Sequence, residues 1–444
     1  MGPGLIGRGD EHPEDTRPRL RFGPHRPGLV LPGPWLGGAR ISRQQLEIDP
    51  LPDGRLAIRS IGKCRLFVNG SETIEAAVRD GDTVHLRNAL LMLVVTRPTF
   101  DTTSAAPPFD FGQADAFGIV GESAATWRLR HDLASVAQSG LHVLVHGPSG
   151  AGKELTARAI HRLSPRSTRP FVARNAATFT DTLIDAELFG NVKNFPNVGT
   201  PERQGLVGEA NGGSLFLDEI GELPTMMQAH LLRLLDRDGE YHRLGEARQR
   251  RADVRIIAAT NRAIEDLKHD FAARLTARVS LVGLDERPED VPLIARVILN
   301  RLADQSPALG ARFFERRGGQ RAEARVAPEL VEALVRHRWR LHVRELERVL
   351  WVAVSSSPGD YVSLTAEVER ELGASAASPP PKVAELRITR PPPSRDEVVQ
   401  ALAAAQGRVA AAATALGLTS RYVLYRLMRE HGIDGAPAAA SSRA

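Results

Sequence analysis

The sequence predicts a multidomain chain: a β-sandwich, then an α/β domain with a mainly parallel sheet and a helical lid, then a small helical unit. Three observations lead there. At 444 residues the chain is too long for one ordinary core. Short β-like runs divided by turn signals fill residues 5–97, whereas from 117 to 304 apolar strands alternate with helical patterns. Two stretches rich in Pro, Ser and Ala, 98–116 and 373–393, read as linkers between ordered regions.

In the first region the β-like runs are 40–48, 55–61, 66–68, 83–86 and 90–95. Pro52-Asp53-Gly54, Asn69-Gly70 and Asp80-Gly81-Asp82 separate them, the rhythm of a sandwich. The longest apolar stretch, 89–95, is too short to span a bilayer and reads as a buried strand. No basic-then-apolar leader is visible, and the single cysteine, Cys64, rules out an internal disulfide and a cysteine-based metal cluster. A cytoplasmic protein is the expectation. The net charge of +5 permits nucleic-acid binding without arguing for it, because basic stretches such as 248–251 and 312–325 also suit a solvated surface.

Strand candidates of the second region are 141–145, 171–173, 214–217 and 254–258. After the first comes Gly147-Pro148-Ser149-Gly150-Ala151-Gly152-Lys153, and a helix opens at Gly152 with Leu155, Ala159 and Leu163 on one face. Strand, Gly-rich loop and helix are the context a phosphate-binding loop requires. Its glycines let successive N–H groups turn towards phosphate oxygens, Lys153 adds a point charge, and the helix N-terminus adds its dipole. Glu154 stands where many such loops carry a Ser or Thr that touches Mg²⁺. Some sixty residues on, Ser214-Leu215-Phe216-Leu217 delivers Asp218 and Glu219 at a strand's C-terminal end, where ligands bind in open α/β sheets. One carboxylate can hold hydrated Mg²⁺ and the next can orient and deprotonate the attacking water. ATP and Mg²⁺ are the expected cofactors. Residues 305–372 read as a helical lid.

Residues 117–350 resemble the AAA+ ATPase module of bacterial enhancer-binding proteins, the activators of sigma-54 RNA polymerase. The matching segments are GPSGAGKELTARAI at 147–160, AELFG at 186–190, GGSLFLDEIGELP at 212–224, VRIIAATNR at 254–262 and VREL at 343–346. Glu154 is normal in that family. The resemblance implies that Asp218 and Glu219 are the Mg²⁺ and water residues, that Asn261 senses the γ-phosphate, and that Asn175 holds the catalytic glutamate in a switch. It further implies that Arg344 is a lid arginine facing the phosphates and that Ile119 and Val120 line the adenine pocket. Relatives form ring hexamers in which arginines reach into the neighbour's site; their two finger positions align with Ala272 and Arg278, so only the second is kept, with Arg274 close by. The lid motif Trp-Pro-Gly-Asn is replaced by Trp339-Arg340-Leu341-His342. The sigma-54 contact loop, GAFTGA in relatives, aligns with Asn194-Phe195-Pro196-Asn197-Val198-Gly199 and keeps none of its six positions. The hydrolytic parts look intact while the part that transmits force does not.

In the last region, 394–433, Val398, Leu402 and Ala405 lie on one face of a first helix, Gly407 breaks it, and a second helix closes at Gly417. A third, capped by Thr419 or Ser420, turns Leu424, Leu427 and Met428 inward. This is a helix-turn-helix pattern, and it resembles the Fis-type DNA-binding module that ends the same family. Ser420, Arg421, Tyr422, Tyr425 and Arg426 are the residues that would meet DNA; a dimerising bundle without DNA affinity is the alternative. At the other end, Ile41-Ser42-Arg43, Phe67-Val68-Asn69-Gly70 and Asp80-Gly81-Asp82-Thr83 resemble a forkhead-associated (FHA) sandwich, with Gly7-Arg8 as its opening motif. Such domains bind phosphothreonine, and Arg8, Ser42, Arg43 and Asn69 would supply the contacts; a degenerate sandwich used for protein contact is the alternative. Two whole-chain readings follow. One is an ATP-driven, DNA-binding regulator with FHA-type input. The other is a nucleotide-binding signalling or repressor protein that binds DNA without remodelling polymerase.

Overall fold

Inward-facing apolar residues from two sheets build the N-terminal domain around one core. The computed structural model describes residues 2–10, 15, 17–27, 29–98, 109–180, 183–236, 238–317, 320–375 and 395–405, with single positions 409, 412, 416, 424, 428 and 433. Its first strands are β1 (Gly4–Ile6), the short pair β2 (His25–Arg26) and β3 (Leu29–Val30), β4 (Leu46–Pro50) and β5 (Leu56–Ser60). There follow β6 (Leu66–Val68), β7 (Ser71–Thr73), β8 (Glu75–Val78), β9 (Thr83–Leu86) and β10 (Leu90–Leu93). One antiparallel sheet runs β1-β4-β5-β8 and the other β10-β9-β6-β7. Ile6, Leu46, Ile48, Ile58 and Val78 of the first meet Leu66, Val68, Val84 and Leu86 of the second. The expected runs correspond to β4, β5, β6, β9 and β10, but β1, β2, β3, β7 and β8 were not foreseen. Glu75-Ala-Ala-Val78 carries too little β-branching to announce a strand, though register with β5 buries Ala76 and Val78. The stretch expected as a buried strand is the edge strand β10, only half-buried.

The second region opens with α1 (Ala124–Gln138), β11 (Val143–His146), α2 (Lys153–Leu163), β12 (Phe171–Asn175), α3 (Ile184–Phe189), α4 (Gly205–Glu209) and β13 (Ser214–Asp218). It continues through α5 (Thr225–Leu235), β14 (Glu240–Tyr241), β15 (Arg250–Arg251), β16 (Arg255–Thr260), α6 (His269–Arg274) and β17 (Ala277–Ser280). The five-stranded parallel sheet has the order β12-β13-β16-β11-β17. Each strand alternates between two covered faces. Val143, Val145, Phe216 and Ile257 pack with Leu133 and Ile160, and Leu144, Leu215, Leu217 and Ile256 pack with Leu188, Leu231 and Phe271. Edge strand β17 escaped the sequence reading because only Ala277 and Val279 of its four residues turn inward.

The helical lid comprises α7 (Val291–Gln305), α8 (Pro307–Phe313), β18 (Phe314–Arg317), β19 (Gln320–Ala324), α9 (Pro328–Arg336), α10 (His342–Ser356) and α11 (Ala366–Ser375). Two expectations are corrected here. Helix α7 was assigned to the α/β core ending at 304, yet Val291, Ile294 and Ile298 pack with Leu334, Trp339, Leu346 and Leu350 of the lid. Residues 305–372 were expected to be helical, yet β18 and β19 pair as an antiparallel two-stranded sheet.

The first linker is also corrected in part. Among its described residues, Phe109 stacks on Trp127 at 5.9 Å and Asp115 pairs with Arg130 at 2.9 Å, so aromatic and charged side chains fasten the segment to α1. The sandwich docks on the α/β region and its lid through polar contacts: buried Arg26 with buried Glu122, half-buried Arg97 with half-buried Glu289, and buried Thr83 Oγ1 donating to Glu332 at 2.6 Å. Removing one partner of a buried ion pair costs about 3–5 kcal/mol, which fixes this orientation.

The C-terminal unit holds α12 (Arg395–Ala404). Val398, Ala412, Leu424 and Met428 form its core, with Leu402, Ala405 and Ile433 packed around them.

Candidate functional site

Strand β11 ends at His146 and α2 begins at Lys153, so the intervening residues must turn sharply between sheet and helix. Gly150 (φ +81°) and Gly152 (φ +103°) adopt left-handed backbone there, which side chains rarely tolerate. A Cβ on Gly150 would stand 2.2 Å from the Leu341 carbonyl, because the lid loop lies directly on the phosphate loop. Gly147 is bound to the sheet through its N–H to Thr260 O at 3.2 Å. Lys153 is buried and curls back over the loop, its Nζ donating to Gly147 O at 3.1 Å and Pro148 O at 3.2 Å. Desolvation holds its pKa below the ordinary lysine value; Asp218 and Glu219 oppose that shift and Arg344 adds to it. The ammonium therefore lies within the electrostatic reach of both carboxylates.

Asp218 is the last residue of β13, and its Oδ1 accepts the Glu219 N–H at 3.0 Å. Glu219 leaves the strand with φ +52°, a conformation unusual for a residue with a side chain and one that turns the chain sharply at the strand end. Both line one cavity of about 350 Å³. Ser149, Gly150, Ala151, Gly152, Lys153 and Glu154 form its phosphate end, and Gly118, Ile119, Val120 and Leu155 its apolar end. Of the helix face expected to be buried, Ala159 is buried and Leu163 packs against the same core, and Leu155 alone departs. Thr156, Ala157 and Ile160 are buried, whereas Leu155 turns towards the cavity and is 38% exposed. The lid closes the cavity with Ile294, Val297, Ile298 and Arg344. Arg344 Nη1 donates to Ser149 Oγ at 3.0 Å, and Val343 N–H donates to Gly150 O at 3.2 Å. Glu154 pairs with Arg158 at 2.8 Å.

Other expected residues stand around the cavity rather than in its wall. Asn175 lies in register with Asp218, with its Oδ1 accepting Ala177 N–H at 2.8 Å. Asn261 follows β16 and is exposed. Arg278 is exposed on edge strand β17, and Arg274 pairs with Asp236 at 2.7 Å. Reasoning from sequence missed Arg287, which is 6% exposed and lines the cavity. Its Nη2 donates to Ala151 O at 3.4 Å and its Nη1 to Thr126 Oγ1 at 3.3 Å. Burial lowers its pKa, while Asp290 and Glu289 oppose the shift. Amid Asp285-Glu286-Arg287-Pro288-Glu289-Asp290 it reads as a solvated charge run, so no sequence signal marks it.

At the sandwich, Arg8 N–H donates to Ser42 O at 2.9 Å, and Ser42 Oγ accepts Lys63 N–H at 2.9 Å. Beneath them, buried Arg19 donates to Arg8 O at 2.9 Å and Arg43 O at 2.7 Å. Arg8, Ser42 and Arg43 are thereby gathered. Asn69 does not share these contacts: its Oδ1 accepts Thr83 N–H at 3.0 Å and its Nδ2 donates to Asp82 at 2.8 Å, closing a local turn. Residues 194–199 form a closed turn in which Asn194 N–H donates to Thr200 O at 2.8 Å, Gly199 N–H donates to Asn194 Oδ1 at 3.0 Å, and Val198 is 95% exposed. Ser420, Arg421, Tyr422, Tyr425 and Arg426 lie outside the described residues. Among the described residues, no helix is long and apolar enough to cross a membrane.

Comparison with known proteins bears on the same region. Residues 119–285 match the family described as the Sigma-54 interaction domain. The transcriptional regulatory protein ZraR of Escherichia coli is 36% identical over 325 residues, covering 71% of this chain and 69% of that protein. The Nif-specific regulatory protein of Azotobacter vinelandii is 36% identical over 321 residues, 70% of this chain and 58% of the relative. Among solved structures, NtrX from Brucella abortus superposes with a TM-score of 0.51 at 28% identity, covering 71% of this chain and 69% of that one.

Proposed function

The chain belongs to the family of transcriptional regulators built on the sigma-54 interaction domain, and on that premise we propose that it is an ATP-hydrolysing, DNA-binding regulator of transcription. The observation that carries this reading is the placement of Lys153, Asp218, Glu219 and Arg344 around one cavity whose other end is apolar. The loop amides and Lys153 hold the β- and γ-phosphates, and Ile119, Val120 and Leu155 receive the base. The carboxylate of Asp218, which lines the cavity beside Lys153, would hold a Mg²⁺ ion, whose charge would offset that of the phosphates. Glu219 orients the attacking water and takes its proton. Asn261, at the end of β16 next to β11, the strand that leads to Gly147, reports the γ-phosphate, and Asn175 holds Glu219 in a switch. Arg278, exposed at the sheet edge, serves the neighbouring subunit of a ring, so turnover depends on assembly.

The C-terminal unit supplies DNA binding through Ser420, Arg421, Tyr422, Tyr425 and Arg426. The sandwich supplies signal input, with Arg8, Ser42 and Arg43 as donors for a phosphothreonine. Sigma-54 RNA polymerase is the partner the family implies. One observation favours the second reading, regulation without remodelling: loop 194–199 is a self-bonded turn with an isolated valine at its tip. ATPase activity that rises with protein concentration and vanishes in Lys153→Ala supports the enzyme. Absence of Lys153-dependent turnover at every concentration removes it. Open-complex formation at a sigma-54 promoter by the unaltered protein would overturn the second reading. Activity gained only when 194–199 is rebuilt as GAFTGA would support it.

A further inference from the structure

A buried hydrogen-bonded chain runs from the N-terminal sandwich to the phosphate loop. It starts at Arg26, which is 3% exposed and lies over the rings of Phe109 and Trp127 at 4.7 and 5.5 Å. Its Nε donates to Glu122 Oε2 at 2.9 Å, its Nη2 donates to the other carboxylate oxygen, and its remaining donors reach Phe109 O and Asp110 O. Glu122 is 2% exposed and also accepts from Gly112 N–H at 2.6 Å and Trp127 Nε1 at 3.1 Å. Its own N–H donates to Asp290 Oδ1 at 2.7 Å. Asp290 is fully buried and gathers Ser123 N–H at 2.9 Å, Ser123 Oγ at 2.6 Å and Thr126 Oγ1 at 2.6 Å. Thr126 Oγ1 then accepts from Arg287, which reaches Ala151 O of the phosphate loop.

The links are unequal. From Arg26 to Thr126 they are short, charge-assisted and desolvated, so they hold position with little slack. At Arg287 the two bonds lengthen to 3.3 and 3.4 Å, and its buried Nε has no hydrogen-bond partner among the described residues. A displacement at Arg26 is therefore expressed where Arg287 meets the loop. It is expressed also at Ile119 and Val120, which precede Glu122 and line the cavity.

We infer that Arg26 and Arg287 are positioning residues for the nucleotide, so that the seating of the N-terminal sandwich sets ATP affinity. This rests on the reading of the cavity as an ATP site. Neither guanidinium takes part in the chemical step: one fixes the base-side segment, and the other fixes a phosphate-loop carbonyl.

The test uses the full chain, titrated with a fluorescent ATP analogue and assayed for steady-state ATPase. Arg26→Lys and Arg287→Lys keep the charge and lose the fork; each is expected to raise Kd and KM about 5- to 10-fold, with kcat within about twofold of wild type. The double variant is expected to be no weaker than the worse single one, because both act through one chain. Multiplicative losses in the double variant, or unchanged affinity in Arg26→Lys, overturn the inference. Should Arg26→Lys fail to fold by circular dichroism, Arg26→Met with Glu122→Gln removes both buried charges together. That pair must show the same loss of affinity, and wild-type affinity there overturns the inference. Wild-type protein with no Lys153-dependent binding of the analogue overturns the ATP-site reading itself; normal wild-type binding with an unaffected Arg26→Lys overturns only the chain of contacts.

Discussion

Two loops of similar length leave the same α/β scaffold, and they differ in what surrounds them. Loop 147–152 is enclosed: the sheet holds Gly147, the lid covers Gly150, and buried Lys153 is tied back to two of its carbonyls. Loop 194–199 is held by its own turn bonds, by the buried Asn191 side chain donating to Phe195 O at 3.2 Å and by Phe195 lying against Gly245, and it presents Val198 to solvent. Enclosure means that each phosphate-loop residue answers to several neighbours at once, so its type is dictated. An open loop answers mainly to whatever it touches in a partner, and its residues can change without cost to the fold.

The largest expected effect lies in the enclosed loop. On the proposed reading Lys153→Ala removes the charge that meets the phosphates, and steady-state ATPase should fall by at least about 10²- to 10³-fold. Circular dichroism should stay unchanged, since burial already disfavours the charged ammonium. A next effect lies at the start of the strand that launches this loop. Burial lowers the His142 pKa from 6.5 to about 4, with Arg255 and Arg166 adding to the shift. Between those values the unfolded chain takes up a proton that the folded chain refuses. Stability is thus fully present above pH 6.5 and declines as pH falls through the window, by up to about 3 kcal/mol. Urea titrations of wild type and His142→Asn at pH 7.5 and 4.5 measure this, and the variant should lose less stability on acidification. Gly150→Ala comes third. Its left-handed φ and the nearby Leu341 carbonyl predict about 1–3 kcal/mol of strain, read as weaker ATP-analogue binding while Gly199→Ala binds normally.

The same contrast explains what the sequence disclosed. The phosphate loop and Asp218-Glu219 were legible because ligand chemistry demands those residue types after buried strands, and the sheet's other four strands, β11, β12, β13 and β16, were legible from their apolar runs. Strand β17 was not, because an edge strand buries only alternate residues. Helix α7 was visible as a helix, but its ownership by the lid depends on which core Ile294 and Ile298 enter, and periodicity does not say. Arg287 was illegible for a stronger reason. Its burial comes from chain segments more than a hundred residues away, Thr126 and Ala151, that nothing local announces. Arg26 and Glu122 are hidden in the same way.

The smallest effect belongs to the open loop. Val198 is 95% exposed, so replacing it with serine removes almost no buried surface and should leave stability within about 0.5 kcal/mol. ATPase should stay within about twofold, because no residue of 194–199 lines the nucleotide cavity. The hydrogen bond from Gly199 N–H to Asn194 Oδ1 keeps the turn closed in the variant. Any marked change must then come from a partner that touches the tip. If Val198→Ser leaves turnover intact but abolishes transcription from a responsive promoter, the open loop is a working contact in its altered form. If instead the isolated protein loses ATPase activity, the loop is coupled to the cavity, and the division between an enclosed and an open loop is wrong.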